Sequence, residues 1–404
     1  MEAAEEIDIV IVGAGICGLA TALALHRKGI KSVVLERSET LRAFGSAIAI
    51  LTNGWRALDQ LGIGPKLRQT ALPLQGVRDI WLDGNKQRRG PLSKGEARCV
   101  KRSDLINMLA QDLPHGTIRF GCHILFVELD PLTNFPILQL RDGRAIKAKI
   151  LIGCDGASSV VAEYLKVKPK KSFPAFGIRG LTYYPSPHGF DPEFVRTHGN
   201  NVVCGRSTIN QNLVFWFLLL PGYLKDSEIF KDPELIKQMA LEKTNDAFPK
   251  ETIEMIKDCD ITSLSLTHLW YRPAWDILLG TFRKGMVTLA GDSMHVMGPF
   301  LGQGGSAAME DAVVLARCLA NKIHGESING FEGNNGLFRK KMEEAMDLYV
   351  KERRMRLVRL SAQSYVTGLL FSSASMIGKI LLLALIIVLF QDPIRHTRYD
   401  CGHL

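Results

Sequence analysis

IDIVIVGAGICGLATALALHRKGIKSVVLER, residues 7–37, is the stretch that decides the fold. Ile7 and the run Ile9 to Val12 are almost continuously apolar, the pattern of a parallel strand covered by helices on both faces. Gly13-Ala14-Gly15-Ile16-Cys17-Gly18 comes directly after and matches GxGxxG. In that pattern Gly13 permits the tight turn, Gly15 lets a pyrophosphate approach the backbone, and Gly18 lets the helix pack closely on the strand. The helix is expected from about Leu19 to Arg27, stopped at Gly29, with N-terminal amides and a dipole that favour a phosphate. A second strand, Ser32 to Leu35, ends in Glu36, roughly 20 residues beyond the glycines, where a carboxylate can accept hydrogen bonds from an adenosine ribose. Arg37 beside it joins the cofactor-binding candidates. The carboxylate speaks for FAD or NAD rather than a 2'-phosphorylated nucleotide. A lone GxGxxG is weak, but strand, turn, helix, strand and acid in this order make a nucleotide site.

Outward from that segment, 404 residues suffice for two domains. With 46% hydrophobic and 23% charged residues, wholesale disorder and collagen-like fibres are excluded. The net charge of +9 is spread over the chain, clustering only at Lys168 to Lys171 and Arg353 to Arg359. This reads as a generic basic surface that draws anions, not as a nucleic-acid site. The eight cysteines form no CxxC pair and stand at no metal-ligand spacing, so they are expected as reduced, mostly buried thiols with no metal. The acidic hexapeptide MEAAEE before the first strand is unlike a signal or transit peptide, and the expected location is the cytoplasm.

Two further segments narrow the nucleotide. GMVTLAGDSMHVMGPFLGQGGSAAMEDAVVLARCL, residues 285–319, runs from an apolar strand (Met286 to Ala290) through Gly291-Asp292 into an amphipathic helix. Between them Pro299, Gly302, Gly304 and Gly305 form a loop too rich in glycine to pack by side chains, so backbone must approach something flat and large. In KAKILIGCDGASSVVAEYL, residues 147–165, an apolar strand leads into Asp155-Gly156.

With these three segments the chain resembles the class A flavoprotein monooxygenases of the p-hydroxybenzoate hydroxylase type, and in particular their plant monooxygenase-1-like branch. The resemblance spans nearly the whole chain. It implies an FAD site in which Asp292 holds the ribityl chain and Pro299, Gly302, Gly304 and Gly305 pass the isoalloxazine. The helix near Ser306 then points its N-terminus at the flavin pyrimidine edge, where its dipole stabilises negative charge on reduction. The Asp155 segment serves the FAD and NADPH sides, and Arg42 and Arg102 stand where relatives use arginines against the FAD ribose or pyrophosphate. Relatives usually carry an arginine shortly after the Ser-x-Val, where this chain has Val161-Ala162. Relatives also commonly read Gly-Ala-Gly-Ile where this chain has Gly45-Ser46-Ala47-Ile48.

The expected fold is α/β. A discontinuous Rossmann-like FAD-binding domain with a parallel sheet (residues 1–75, 98–170 and 283–365) is joined by a mostly antiparallel substrate domain (76–97 and 171–282) and an apolar helical C-terminal tail (366–404). The middle region alternates short β-like runs with Pro, Gly and Asn, as antiparallel sheets do. Tyr183, Trp216 and His268 are its pocket-lining candidates, each more often core or surface. His295, beside the Gly-Asp turn, reads as structural. No second GxGxxG follows a strand, so a separate NADPH domain is not expected.

The activity implied by the family is NADPH- or NADH-driven insertion of one oxygen atom from O2 into a small aromatic substrate through a flavin hydroperoxide. The sequence identifies no catalytic base and no oligomeric state. Two other readings stand beside this one. An epoxidase of a lipophilic terpenoid is suggested by the apolar tail, and a flavin-binding protein without turnover by the missing arginine. Residues Leu369 to Phe390 contain the unbroken apolar run Ile380 to Phe390, too short by itself for a bilayer. Peripheral or tail-anchored membrane contact and an ordinary helix docked on the FAD domain both remain open.

Overall fold

The computed structural model describes residues 4–41, 47–84, 86–199, 201–223, 229–244, 247–323, 335–372 and 376–404. Arg42 and the Gly45-Ser46 pair lie outside the described residues. The apolar opening run forms the strand Glu5–Val12, exposed at its start and buried from Ile9 onward. It pairs in parallel with Ala145–Gly153 on one side and Val33–Leu35 on the other. The sheet continues to Val287–Leu289 and Arg283–Lys284 at one edge and to Ile118–Arg119 at the other. A hairpin, Ile124–Leu129 with Pro136–Leu140, pairs antiparallel on the start of Ala145–Gly153. Parallel strands buried on both faces explain why these segments read as continuous apolar runs rather than alternating ones.

The helix after the glycine turn spans Ile16–Arg27, one turn earlier than the sequence suggests, and Cys17 through Leu25 are all buried. A helix hydrophobic all round is a core helix. It packs against the 20-residue helix Gly304–Ile323, itself buried along most of its length. The loop before that helix lies over the C-terminal ends of the parallel strands, where α/β sheets bind ligands.

The second sheet has seven strands in the order Ser265–Tyr271, Lys171–Tyr183, Leu213–Pro221, Val203–Thr208, Phe194–His198, Val77–Trp81, Lys86–Gly90. All pairings are antiparallel except Val77–Trp81 with Phe194–His198. Its two faces separate by the period of 2. Phe176, Ile178, Val214, Trp216, Leu218 and Leu266 cluster with Ile236, Ala240, Met255 and Ile256 of the helices Pro233–Thr244 and Lys250–Lys257. Phe215, Phe217 and Leu219 alternate with them and face the other way, towards the cofactor sheet.

A helix of 38 residues, Asn335–Ser372, ties the two sheets together. At 1.5 Å per residue it is about 57 Å long. Along it Tyr349 donates to the Leu289 carbonyl at 3.0 Å, Ser361 to the Arg272 carbonyl at 2.6 Å and Ser364 to the Gly298 carbonyl at 2.8 Å. The chain then forms the apolar helix Met376–Phe390 and returns to the body.

Candidate cofactor and substrate site

Each glycine of the turn has a separable role in the structure. Gly13 sits at φ +97°, and a Cβ there would lie 2.8 Å from the Cys154 carbonyl oxygen of the neighbouring strand. A Cβ at Gly18 would lie only 1.9 Å from the Gly13 carbonyl oxygen, so this residue sets the closeness of helix and turn. A Cβ at Gly15 meets nothing within 4 Å, because that position opens onto a cavity. Glu36 is tied to the turn itself: its Oε2 accepts from the Ala14 amide at 2.8 Å and its Oε1 from the Ser38 amide at 2.9 Å.

The first cavity, about 300 Å³, is lined by Gly13, Gly15, Glu36, Arg37, Arg102 and Asp155 among others. Asp155 accepts from the Val160 amide at 2.8 Å through Oδ2, while its Oδ1 is buried without a hydrogen-bond partner. Burial pushes this carboxyl above its ordinary range, against the pull of hydrogen bonds from Ser159 and nearby amides. An acceptor buried without a donor is costly and marks a place for a ligand hydroxyl or amide.

The second cavity, about 550 Å³, shares Gly15, Arg102, Cys154 and Gly156 with the first, so the two form one cleft. Asp292, Pro299, Gly302, Gly304 and Gly305 line its floor, and Phe194, Arg196, Phe215, Phe217 and Phe371 belong to the opposite wall. Asp292 is exposed to the cleft, and desolvation by the protein packed around it raises its carboxyl against the pull of His295, Arg102 and Lys170. Burial lowers the Arg102 guanidinium, with Asp292 opposing. Arg179 also lines this space, lowered first by burial and then by the charge of Arg102. A cavity with converging, desolvated arginines attracts anionic groups.

Behind the floor lies a buried ionic network that holds the Gly-Asp turn. Asp311 Oδ2 accepts from the Gly291 amide at 2.9 Å and pairs with His295 Nε2 at 2.5 Å. Arg353 bridges Asp311 Oδ1 and Glu310 Oε2, both at 2.7 Å, and Arg356 reaches Glu310 Oε1 at 3.0 Å. Asn53 Nδ2 donates to Glu310 Oε1 at 2.6 Å and to Gln303 Oε1 at 2.8 Å, fixing Gln303 in the glycine loop. Burial alone would raise both carboxyls, but Arg353, with Arg356 at Glu310 and His295 at Asp311, holds them below their ordinary range. His295 is therefore a structural residue, as its position beside the turn suggested.

The structure brings Gly13, Gly15, Glu36, Arg37, Arg102, Asp155, Asp292, Pro299, Gly302, Gly304 and Gly305 to this one cleft. Gly18 serves the turn from behind. Of the three pocket candidates in the middle region, none lines the cleft. Trp216 is fully buried on the opposite face of the second sheet, donating to Thr182 Oγ1 at 3.1 Å. His268 packs on Phe230 on that same face, and Tyr183 is 48% exposed with Lys101 donating to its hydroxyl at 2.8 Å. The aromatic wall was available from the sequence as the residues alternating with Trp216, namely Phe215 and Phe217. The network had a signal too: Glu310-Asp311 inside the apolar run AAMEDAVVLA must be paired with buried cations. Val161 is fully buried beneath Gly153 and Ala162 supports a helix start by donating to Ser159 Oγ at 2.9 Å. The departure at Val161-Ala162 thus falls in a packed helix start.

The cleft fits an extended dinucleotide: an open glycine turn at one end, the orphaned Asp155 oxygen between, and a glycine loop at a helix N-terminus at the other. Comparison with known proteins agrees. Residues 6–331 match the family model described as FAD binding domain. Monooxygenase 1 of Arabidopsis thaliana is 51% identical over 99% of this chain and 100% of its own length. Monooxygenase 2 of the same plant is 37% identical over 98% of each. The crystal structure of Klebsiella pneumoniae HpxO complexed with FAD and uric acid superposes with a TM-score of 0.76 at 21% identity, covering 94% of this chain and 92% of that one.

Proposed function

The chain belongs to the FAD binding domain family as a class A FAD-dependent monooxygenase, and on that premise we propose that its substrate is a small, planar, electron-rich aromatic bearing an anionic group, oxidised at the expense of NADPH or NADH. The observation that carries this reading is the second cavity, where phenylalanines from the second sheet face the Asp292 turn with Arg179 among the lining residues, while the Arg196 guanidinium on the same wall is held by both Asp79 carboxylate oxygens at 2.7 and 2.8 Å. Flat apolar walls select a planar ring, and guanidinium groups in a desolvated setting select a carboxylate or phenolate.

Bound in the cleft, FAD supplies electron transfer from the nicotinamide and activation of O2. The chain's own residues hold it and shape the space around it. In this reading Glu36 accepts from the adenosine ribose, and Gly13, Gly15 and the Ile16–Arg27 helix N-terminus receive the pyrophosphate, with Arg37 and Arg102 as counter-charges. Asp155 and Asp292 accept from ligand hydroxyls, and Pro299, Gly302, Gly304 and Gly305 let backbone approach the flavin ring. The phenylalanine wall excludes water, and Arg179 and Arg102 draw the anionic group of the substrate. Residues 1–75, 98–170 and 283–365 then act as the cofactor domain, and 76–97 and 171–282 as the substrate domain.

We also infer a cytoplasmic enzyme with peripheral membrane contact through Met376–Phe390. That exposed helix favours a second reading, epoxidation of a lipophilic terpenoid. Purified flavoprotein incubated with NADPH, and separately with NADH, against phenolic acids and terpenoid olefins separates the two. Substrate-stimulated oxygen uptake confined to the aromatic acids is the expected result. Stimulation by olefins alone would replace it with the epoxidase, and none by either would remove both.

A further inference from the structure

From the way the C-terminal segment returns to the body, we infer that Met376–Phe390 is a monotopic membrane-docking helix that lies in the plane of one leaflet and sets the rim of the substrate cavity against lipid. This rests on the membrane contact proposed above and fixes its geometry. By composition the segment Ile377–Arg398 is long enough to cross a bilayer and holds an 18-residue window with a mean hydropathy of 2.1, of which only 6% is buried. The helix itself ends at Phe390, so its 15 residues are about 22 Å long against a hydrocarbon core of about 30 Å.

The chain beyond Phe390 is fastened to the same body that the helix leaves. Asp392 pairs with Lys94 at 3.5 Å, and Gln363 of the long helix donates to the Pro393 carbonyl at 2.7 Å. Thr397, with no exposed surface, accepts from the Lys94 amide at 3.1 Å. The Tyr399 ring lies under Arg353 and Arg356, Arg317 donates to the Cys401 carbonyl, and the Leu404 amide donates to Gln60 at 3.0 Å. A segment with both ends on one body cannot place them on opposite sides of a membrane.

Lipid fits the exposed surface better than a protein partner does. At 3.6 residues per turn, Leu383, Ile380, Val388, Leu381, Leu385 and Leu389 sweep about two-thirds of the circumference, and all are exposed. Only the stripe through Ile386 packs inward. A helix seated in a protein groove presents one apolar face, whereas an arc this wide suits a fluid apolar medium. Exposed Lys379 and Arg395 add charge suited to anionic headgroups. Phe371 lines the second cavity, stacks on His198 with centroids 5.9 Å apart, and stands six residues before Ile377. At most about 20 Å of chain therefore separates the cavity wall from the lipid-facing surface.

All eight native cysteines are buried, so a single introduced cysteine can be labelled selectively. The FAD-loaded full chain labelled with a fluorophore at Ile387→Cys or Phe371→Cys is mixed with sealed phosphatidylcholine–phosphatidylserine vesicles carrying headgroup-proximal nitroxide lipid. Both labels are expected to be quenched at least twofold, a label at Leu132→Cys on the hairpin tip to stay bright, and an epitope after Leu404 to remain open to external protease. No quenching at Ile387 overturns the docking, quenching at Ile387 without Phe371 overturns the rim placement, and a protected epitope makes the helix part of a span. A water-shielded, unquenched Ile387 label with a dimer in sedimentation assigns the surface to a second copy and overturns the inference. Substrate-stimulated oxygen uptake, read without vesicles on unlabelled protein, reports separately on the enzymatic reading.

Discussion

Replacing Arg353 by methionine removes the cation that touches both buried carboxylates of the helix behind the glycine loop while keeping most of the side-chain volume. Breaking a buried pair by deleting one partner costs about 3–5 kcal/mol, because the remaining charge stays desolvated. Here Glu310 keeps Arg356 and Asn53, and Asp311 keeps His295 and the Gly291 amide, so the lower end of about 3 kcal/mol is expected. For a chain of this size that is a fall in melting temperature of about 3–4 °C. The assay is thermal unfolding of the FAD-loaded protein, followed in parallel by circular dichroism and by release of flavin fluorescence. Adding Glu310→Gln and Asp311→Asn removes the stranded charges and is expected to restore about half of the loss. Arg353→Met within about 0.5 kcal/mol of the parent, or a triple variant less stable than the single one, would refute the reasoning.

The same carboxylates give a pH dependence. Their folded pKa values lie below the unfolded ones, so their stabilisation is present above about pH 4 and is lost as pH falls through the folded values. Urea midpoints of the parent should fall more steeply between about pH 5 and pH 3 than those of the triple variant, and equal slopes would contradict the pairing. Gly15→Val and Gly18→Ala should separate binding from folding. The first, with open space for its side chain, should leave the unfolding midpoint of the apoprotein unchanged and lower flavin content at least tenfold. The second, with a Cβ 1.9 Å from a carbonyl oxygen, should lower apoprotein stability by about 1–3 kcal/mol. On the second sheet, Trp216→Ala should cost about 3–5 kcal/mol of stability with little change in KM, while Phe217→Ala should raise KM at least fivefold with little change in unfolding. The reverse pattern would mean that the faces of the sheet are exchanged.

The cofactor half of the molecule was legible in the sequence because its geometry is made by backbone. Tight turns and close approaches require glycine at fixed offsets, and a doubly covered strand requires an apolar run, so Gly13, Gly15, Gly18 and the 285–319 segment could be read directly. The substrate half was less legible because its specificity lies in which face of a strand a side chain takes. Trp216 stood among the pocket-lining candidates, yet the phase of the strand buries it away from the cleft and presents Phe215 and Phe217 instead. Glu36 was expected at the ribose, and its two backbone hydrogen bonds also make it a brace for the turn. Leu369 to Phe390 read as one apolar stretch, but the chain divides it between the end of the long helix, which closes the cavity with Phe371, and an exposed helix. That division depends on tertiary anchors such as Lys94 and Arg317, far away in sequence.

In the proposed function the cleft bounded by Glu36, Asp292 and the phenylalanine wall transfers one atom of molecular oxygen to an aromatic acid. The most direct measurement is mass spectrometry of the product formed under 18O2 in ordinary water with NADPH. One labelled oxygen atom per product molecule is expected, with NADPH and O2 consumed in equal amounts. Unlabelled oxygen in the product, or NADPH consumption that ends entirely in hydrogen peroxide with every aromatic acid tried, would contradict it.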